Sequence, residues 1–323
     1  MKINNKFAIG CLVQWYEIEI VEEYVKSIKD AINRIENKEN IVVDFKLVIN
    51  QDLEKIDESQ MTVDKIITRF EAMIDGFELD VTEELVTIAD YRRWFNDYYC
   101  DKVDVLMWGE SDSLIPKTTF EILDNLHTEV GNQTPKYVSF FSTCKMWDES
   151  WKMLEHPDFT DKPFIDGDTE NWWSLKYNMT LDEMNKINDK VEELDVQMTN
   201  NYKFNGCGLV ISSDVVKSGV NIPKSVFFIH EDTAFLNSMT KMFEGRIPQY
   251  IIKNVLLVHN RKHPEKRNYI LGEDEIDKAD VGKKRLTHDW YMKANKMCEH
   301  NAYNLFNQDK VYTWEDVFED RQK

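Results

Sequence analysis

The chain has 323 residues, 42% of them hydrophobic, which is enough for one large α/β domain or one domain with an appendage. Its formal net charge of −19 repels phosphate backbones and disfavours broad, non-specific binding to nucleic acid. Two short basic segments, 261–267 and 283–285, still allow a local contact with an anionic partner. No apolar run approaches the roughly 18 residues of a membrane span, and the first residues lack the apolar region of a signal peptide.

The five cysteines are scattered along the chain and form no C-x-x-C pair. They are Cys11, Cys100, Cys144, Cys207 and Cys298. This usage is typical of reduced thiols in a cytoplasmic protein, and it argues against a disulfide framework or a zinc-finger-like ligand set.

The first 126 residues alternate between short apolar runs and stretches with helical spacing. The pattern predicts, in order, a strand at 7–13, a helix at 18–35, a strand at 41–49, mostly helix over 61–100, a strand at 103–108 and a helix at 117–126. Strands that alternate with helices indicate a doubly wound, mostly parallel sheet flanked by helices.

The second half is less regular. It predicts a strand at 137–142, an irregular stretch at 145–178, a helix at 181–198, a strand at 205–212, a short apolar step at 225–229, a helix at 233–243, a strand at 250–258 ending in His259, and helices at 289–306 and 314–318. The irregular stretch carries Trp147, Trp151, Trp172 and Trp173. These rings either fill the core or form an aromatic platform for a sugar or a base, in which case we expect a lid over the acceptor.

Three clusters of polar residues follow apolar runs. They are Glu110 with Asp112, Glu231 with Asp232, and His259. Each has an ordinary explanation taken alone: a helix cap and turn, carboxylates that complement a helix dipole, and a solvated imidazole. Carboxylates at the carboxyl end of a strand lie where α/β sheets bind ligands, and two of them can hold a divalent cation together with diphosphate oxygens.

The order of these clusters resembles the inverting GT-A glycosyltransferases, most closely the family 2-like group. Glu110-Ser111-Asp112 is similar to the Asp-x-Asp metal motif of that group and runs on to Pro116. Glu231-Asp232 is similar to the pair that opens a later helix, and Leu256-Leu-Val-His259 to a strand that ends in histidine. The resemblance covers residues 7–262. Glu110 departs from the usual Asp, and Asn50 stands where the group often has Asp.

The resemblance implies roles for these residues. Asp112 and His259 would ligate Mn²⁺ or Mg²⁺, and Glu110 would contact the ribose or a metal-bound water. Asp232 would be the catalytic base, with Glu231 placing the acceptor or raising the pKa of the base. An imidazole ligand favours Mn²⁺ slightly. The nucleotide site would be formed by Gln14, Trp15, Asn50, Asp52, Ser111 and either Arg92 or Arg93, with Glu110 beside them.

The resemblance therefore implies a metal-dependent glycosyltransferase that uses a nucleotide-diphosphate sugar, with UDP-sugars favoured, and a saccharide or lipid-linked glycan as acceptor. A hydroxylated nucleic-acid base and a protein are alternative acceptors. A binding protein with a decayed site is a second class of function. A nucleotidyltransferase is a third, although the segment 13–17 lacks the glycine and lysine of a phosphate loop. We expect a GT-A-like domain at 1–268, with a donor half at 1–126 and an acceptor half at 127–268, and a small helical C-terminal extension at 269–323.

Overall fold

The computed structural model describes residues 1–53, 55–56, 58, 61–131, 133–143, 180–199, 206–259, 289–307 and 310–319. The tryptophan-bearing stretch 145–178 and the basic segments 261–267 and 283–285 lie outside these residues, so the predictions made for them stay predictions.

The described residues form nine strands. These are β1 (Phe7–Gln14), β2 (Ile41–Val48), β3 (Glu78–Thr82), β4 (Val105–Trp108), β5 (Ser113–Leu114), β6 (Val138–Thr143), β7 (Val196–Thr199), β8 (Val210–Ser212) and β9 (Gln249–His259). They also form nine α-helices: α1 (Val21–Asn33), α2 (Val63–Met73), α3 (Ile88–Tyr99), α4 (Thr119–Gly131), α5 (Leu181–Asn188), α6 (Ser213–Lys217), α7 (Glu231–Met242), α8 (Asp289–Tyr303) and α9 (Trp314–Phe318).

The strands lie in the order β3-β2-β1-β4-β8-β6-β9-β5, and β7 pairs with β9 outside this path. Strands β1 to β4 are parallel, and β6 and β9 are parallel to each other. Strand β8 lies between β4 and β6 and runs antiparallel to both. The strands β1 to β4 therefore run in the same direction as β6 and β9. The sheet is mostly parallel, which confirms the predicted α/β class.

Hydrophobic cores cover both faces of the sheet, which is why its central strands are continuous apolar runs. Along β1 the side chains alternate between the two cores: Ile9 and Val13 pack with α1, α2 and α4, whereas Ala8 and Leu12 pack with α3, α6 and α7. Helices therefore flank both faces, as the alternating strand and helix pattern predicted.

One prediction about the elements was wrong, and a second was incomplete. The helix expected at 181–198 ends at Asn188, and Val196–Thr199 instead forms β7, which pairs antiparallel with β9. Pairing with a neighbouring strand overrides the helical spacing there. The stretch 61–100 is mostly helical, as expected, but it also contains β3, an edge strand with partly exposed side chains that pairs with β2.

Helices α8 and α9 pack against the segment that precedes α7. Trp290 and Trp314 lie against Phe228, with ring centroids 5.6 Å apart in each pair. Among the described residues, no helix combines the length and the hydropathy that crossing a membrane requires.

Candidate functional site

The end of β9 lies beside the loop that follows β4. The backbone turns after Glu110, where the Ser113 amide and hydroxyl both donate to the Glu110 carbonyl at 3.0 and 2.7 Å. The short strand β5 then pairs antiparallel with β9, so that Ser113 lies opposite His259. This pairing brings together two segments that are separated by about half of the chain.

Three predicted site residues converge at this place. Nε2 of His259 lies 2.9 Å from Oε2 of Glu110 and 3.1 Å from Oδ1 of Asp112. His259 and Asp112 are nearly buried, and the Glu110 side chain keeps 25% of its exposure. Two carboxylates and one imidazole in contact form a donor set suited to a divalent cation such as Mn²⁺.

Arg92 of α3 lies directly behind this cluster. It is 1% exposed, and Nη2 donates to Oε1 of Glu110 at 3.1 Å and to the Gly109 carbonyl at 3.2 Å. Nη1 forms an ion pair with Glu231, and the guanidinium stacks over the Trp108 ring with its centre 4.9 Å from the ring centroid. Arg92 therefore links the carboxylate after β4 to the carboxylate that begins α7.

The pair formed by Arg92 and Glu231 shifts the titration of both groups. Burial raises the pKa of Glu231 to about 7, even though the positive charge of Arg92 opposes the shift. Burial lowers the pKa of Arg92, but the charges of Glu231 and Glu110 outweigh burial and leave its pKa above the ordinary value. Arg92 is therefore charged at neutral pH.

Asp232 follows Glu231 in the first turn of α7 and is half-buried. The Gly206 amide donates to its Oδ2 at 2.9 Å, and the Thr233 amide donates to its Oδ1 at 2.6 Å. Each carboxylate oxygen has two lone pairs, so these bonds fix its orientation and leave one lone pair on each oxygen. Glu231, in contrast, points at Arg92 and is buried.

The turn into α7 is held by the C-terminal helices. His230, the cap residue of α7, has a left-handed backbone with φ of 66°. Its Nε2 lies 2.9 Å from Oδ1 of Asn295 on α8. A non-glycine residue in this conformation is kept there by its surroundings, so α8 supports the position of the Glu231 and Asp232 pair.

Sequence reasoning missed Cys207, which joins the same site. Its Sγ and ligand atoms of Glu110 and His259 all lie within 4.8 Å of one another. The one available signal was its position between Gly206 and Gly208 at the entry to a strand. Gly208 has φ of +73°, a conformation that favours glycine, and a Cβ at Gly206 would lie 2.1 Å from Nη1 of Arg92.

The residues expected to bind the nucleotide are divided between two places. Ser111 is buried in the loop of the cluster. Gln14 lies at the carboxyl end of β1 opposite the end of β2, and Asn50 and Asp52 follow β2 and are bonded to each other. Trp15 is 5% exposed and packs edge to face on Tyr16, so its ring belongs to the core.

Arg93 lies away from the cluster. It pairs with Asp90 and donates to the carbonyls of Ile222, Pro223 and Val226. These contacts tie α3 to the segment before α7. Of the two arginines considered for the site, the structure thus brings Arg92 to the carboxylates and directs Arg93 toward the segment before α7.

No protein-family profile and no curated protein sequence matches the chain. Many solved structures are similar to it, including the following three. S. aureus TarS 1–349 matches with a TM-score of 0.43 and 10% identity, over 96% of this chain and 77% of that one. A mycobacterial protein matches with a TM-score of 0.41 and 9% identity, over 83% of this chain and 73% of that one. The mannosyltransferase PcManGT from Pyrobaculum calidifontis, solved in complex with GDP-Man and Mn²⁺, matches with a TM-score of 0.46 and 10% identity, over 99% of this chain and 80% of that one.

Proposed function

We propose that this protein is a metal-dependent glycosyltransferase that moves a sugar from a nucleotide-diphosphate sugar to an acceptor hydroxyl. The observation that carries the proposal is the contact of His259 with both Glu110 and Asp112 at the carboxyl end of β4. In a mostly parallel sheet this edge is where ligands bind. Exposed carboxylates on an ordinary protein surface do not require contact with a buried histidine from a distant strand.

The donor set fits a divalent cation. Glu110, Asp112 and His259 would hold it, and carboxylate with imidazole suits Mn²⁺ or Mg²⁺, with imidazole favouring Mn²⁺. When bound, such a cation neutralises the charge that develops on a diphosphate leaving group. UDP-sugars remain our first choice of donor, and Gln14, Asn50 and Asp52 at the ends of β1 and β2 are our candidates for contacts with the nucleoside.

Arg92 acts as a positioning residue in this proposal. Its guanidinium is buried and committed to Glu110, Glu231 and the Gly109 carbonyl, so it orients Glu110 and does not reach an open donor site. A charge-assisted network of this kind, with one cation shared between two carboxylates, holds a side chain in a single orientation.

Asp232 is our candidate for the base that takes the proton of the acceptor hydroxyl. It is half-buried, its two oxygens are oriented by backbone amides, and each oxygen keeps a lone pair for the acceptor. Glu231 is buried and paired with Arg92, so in this proposal it does not bind the acceptor. Its role is to hold the start of α7, and with it Asp232, in place. Direct attack by the activated hydroxyl would invert the anomeric carbon.

The acceptor that we propose is a saccharide or a lipid-linked glycan, and a hydroxylated nucleic-acid base is the alternative. The net charge of −19 favours these two acceptors over a nucleic acid, because an acidic surface repels a polyanion. A cytoplasmic location agrees with the scattered cysteines, of which the four in the described part are buried thiols that form no disulfide there.

The test is release of nucleoside diphosphate from a panel of UDP- and GDP-sugars with Mn²⁺, with and without added acceptors. We expect release that depends on the cation and that Asp112→Asn lowers together with Mn²⁺ affinity. The matched control is Asp214→Asn, which changes a carboxylate in the first turn of α6. Donor binding without release in every combination would support the decayed binding protein instead, and absence of donor binding would overturn the proposal.

A further inference from the structure

A cysteine lies among the donor groups of the candidate cation site. Ligand atoms of Glu110, Cys207 and His259 all lie within 4.8 Å of one another. A thiolate is a soft ligand that Mg²⁺ and Mn²⁺ do not select, whereas Zn²⁺ and Cd²⁺ bind it strongly. The centre therefore carries a group that the proposed sugar transfer does not use.

The backbone explains why the thiol is there. The Gly208 amide donates to the Trp108 carbonyl at 3.0 Å, and the Trp108 amide donates to the Leu209 carbonyl at 2.9 Å. The segment that enters β8 therefore runs beside the end of β4, and Cys207 comes alongside the loop that carries Glu110. The close approach of Gly206 to Arg92 and the positive φ of Gly208 leave little freedom to this segment.

We propose that Glu110, Cys207 and His259 form a binding site for a thiophilic divalent cation, Zn²⁺ or Cd²⁺. One thiolate, one imidazole and one carboxylate are a ligand set that Zn²⁺ accepts, and they leave a fourth position for Asp112 or water. Binding forms the metal–sulfur bond and releases the thiol proton to solvent. The proposal does not depend on sugar transfer, because it concerns binding of the cation alone.

The surroundings suit a bound thiolate. Tyr24 is fully buried, and among the described residues its hydroxyl has no hydrogen-bond partner. This hydroxyl lies against Gly109, where an added Cβ would be 2.0 Å from it. A buried donor next to the ligands is the kind of outer partner that orients and stabilises metal-bound groups. The partly exposed side chain of Glu110 gives a cation its route to the buried ligands.

The site also predicts competition between cations. Glu110 and His259 belong both to this ligand set and to the set proposed for Mn²⁺, so the two cations exclude each other. Affinities for nitrogen, oxygen and sulfur sites rise from Mn²⁺ toward Zn²⁺, and the thiolate widens the gap. We therefore expect micromolar Zn²⁺ to displace Mn²⁺ from the protein, which Mn²⁺ electron paramagnetic resonance measures without any sugar nucleotide.

The deciding experiment is a Cd²⁺ titration of the whole protein, followed by the ultraviolet thiolate-to-cadmium charge-transfer band. We expect a band that saturates at one equivalent in the wild type and is lost in Cys207→Ser. Loss of an outer partner of a metal site typically lowers affinity by ~10–100-fold, so loss of a direct ligand should lower Cd²⁺ affinity by at least this factor. The matched control is Cys11→Ser, a buried cysteine of the same core that lies outside the ligand set. It should keep the band.

A second measurement covers the case in which Cys207→Ser fails to fold. Zn²⁺ should raise the melting temperature of the wild-type protein, because a ligand that binds only the folded state stabilises it. Cys207 as an ordinary core residue predicts no charge-transfer band, whereas stabilisation by Zn²⁺ alone also follows from binding to Glu110, Asp112 and His259. Absence of the band in the wild type, or a band that persists unchanged in folded Cys207→Ser, would overturn the proposal while leaving the sugar-transfer test unaffected.

Discussion

The Gly206 amide donates to Oδ2 of Asp232 at 2.9 Å, while the Cα of the same glycine faces the guanidinium of Arg92. Gly206 thus touches both the candidate base and the buried cation that orients Glu110. A single residue without a side chain connects the two halves of the site, and its size is a condition for both contacts.

Gly206→Ala should damage the site. The new Cβ would lie 2.1 Å from Nη1 of Arg92, so either the arginine or the segment must move, at a cost of about 1–3 kcal/mol for overpacking. We expect a lower melting temperature and a loss of turnover. Gly131→Ala is the control, since its Cβ meets only the His127 ring at 3.2 Å at the end of α4. Normal turnover in folded Gly206→Ala would contradict the proposed coupling.

Asp232→Asn tests the base. The change keeps size and one oxygen while removing basicity, so turnover should fall by about 10²–10⁴-fold. Mn²⁺ and donor affinities should persist, because the cation ligands are untouched. Kinetics beside calorimetric binding separates the two effects, with Asp214→Asn again as the control. If turnover stays near the wild-type value, the base must be sought elsewhere.

Arg92→Ala should destabilise the fold strongly. It leaves the buried carboxylate of Glu231 without its partner, and breaking a buried pair in this way costs about 3–5 kcal/mol. Denaturant unfolding measures this loss. The control is Arg34→Ala, which removes an exposed pair with Glu121 and should cost about 0.2–1 kcal/mol. If the two variants lost similar free energies of unfolding, the ion pair of Arg92 with Glu231 would contribute no more to stability than an exposed ion pair does.

The buried carboxylate predicts a dependence of stability on pH. Burial raises the pKa of Glu231 from the ordinary 4.5 to about 7, so the folded state binds this proton more tightly than the unfolded state does. The resulting stabilisation is complete below about pH 4.5 and is lost as the pH rises through about 7, a change on the order of 3 kcal/mol. The wild-type unfolding free energy minus that of Glu231→Gln should therefore fall across this window. A difference that stays constant or rises would show that Glu231 is ionised throughout.

Asn295→Leu tests whether α8 supports the turn into α7. The variant removes the hydrogen bond to Nε2 of His230, worth about 0.5–1.5 kcal/mol, and leaves the left-handed His230 less constrained. Turnover should fall by up to about 100-fold, as it does for a 1 Å misplacement of a catalytic group. Mn²⁺ affinity should not change. Met292→Ala, an exposed position on the same helix, is the control and should behave as the wild type.

The sequence was sufficient for the parallel half of the fold. Strand β1 is buried on both faces, so its run of apolar residues is nearly unbroken, and the helix between β1 and β2 carries a clear periodicity. Edge strands lack this signal. Strand β3 is half exposed, and β7 is defined by its pairing with β9. Such strands are specified by a partner far away in the sequence, which local patterns do not contain.

The site was predictable to a similar extent. Carboxylates after a strand and a histidine at the end of another mark Glu110, Asp112 and His259, whose meeting follows once the strands are placed in the sheet. The role of Trp15 was harder to predict, because exposure depends on packing against Tyr16 and the core. The position of Cys207 at the site could not be predicted, because it depends on backbone hydrogen bonds between its segment and the end of β4.

Strand β9 has three partners along its length, with β6 along most of it, β7 at its beginning and β5 at its end. Its pairing with β6 is interrupted between Phe141 and Ser142, where the register shifts from Ile252 to Leu256. Side chains alternate along a strand, so a slip of one residue beyond this irregularity would turn His259 to the other face of the sheet. The irregularity in the pairing therefore decides which face of the sheet His259 occupies, and with it the candidate cation site. Insertion or deletion of one residue between 253 and 255 should leave a folded protein in which His259 faces away from Asp112. A folded variant of this kind that keeps its Mn²⁺ affinity would show that His259 is not needed to bind the cation.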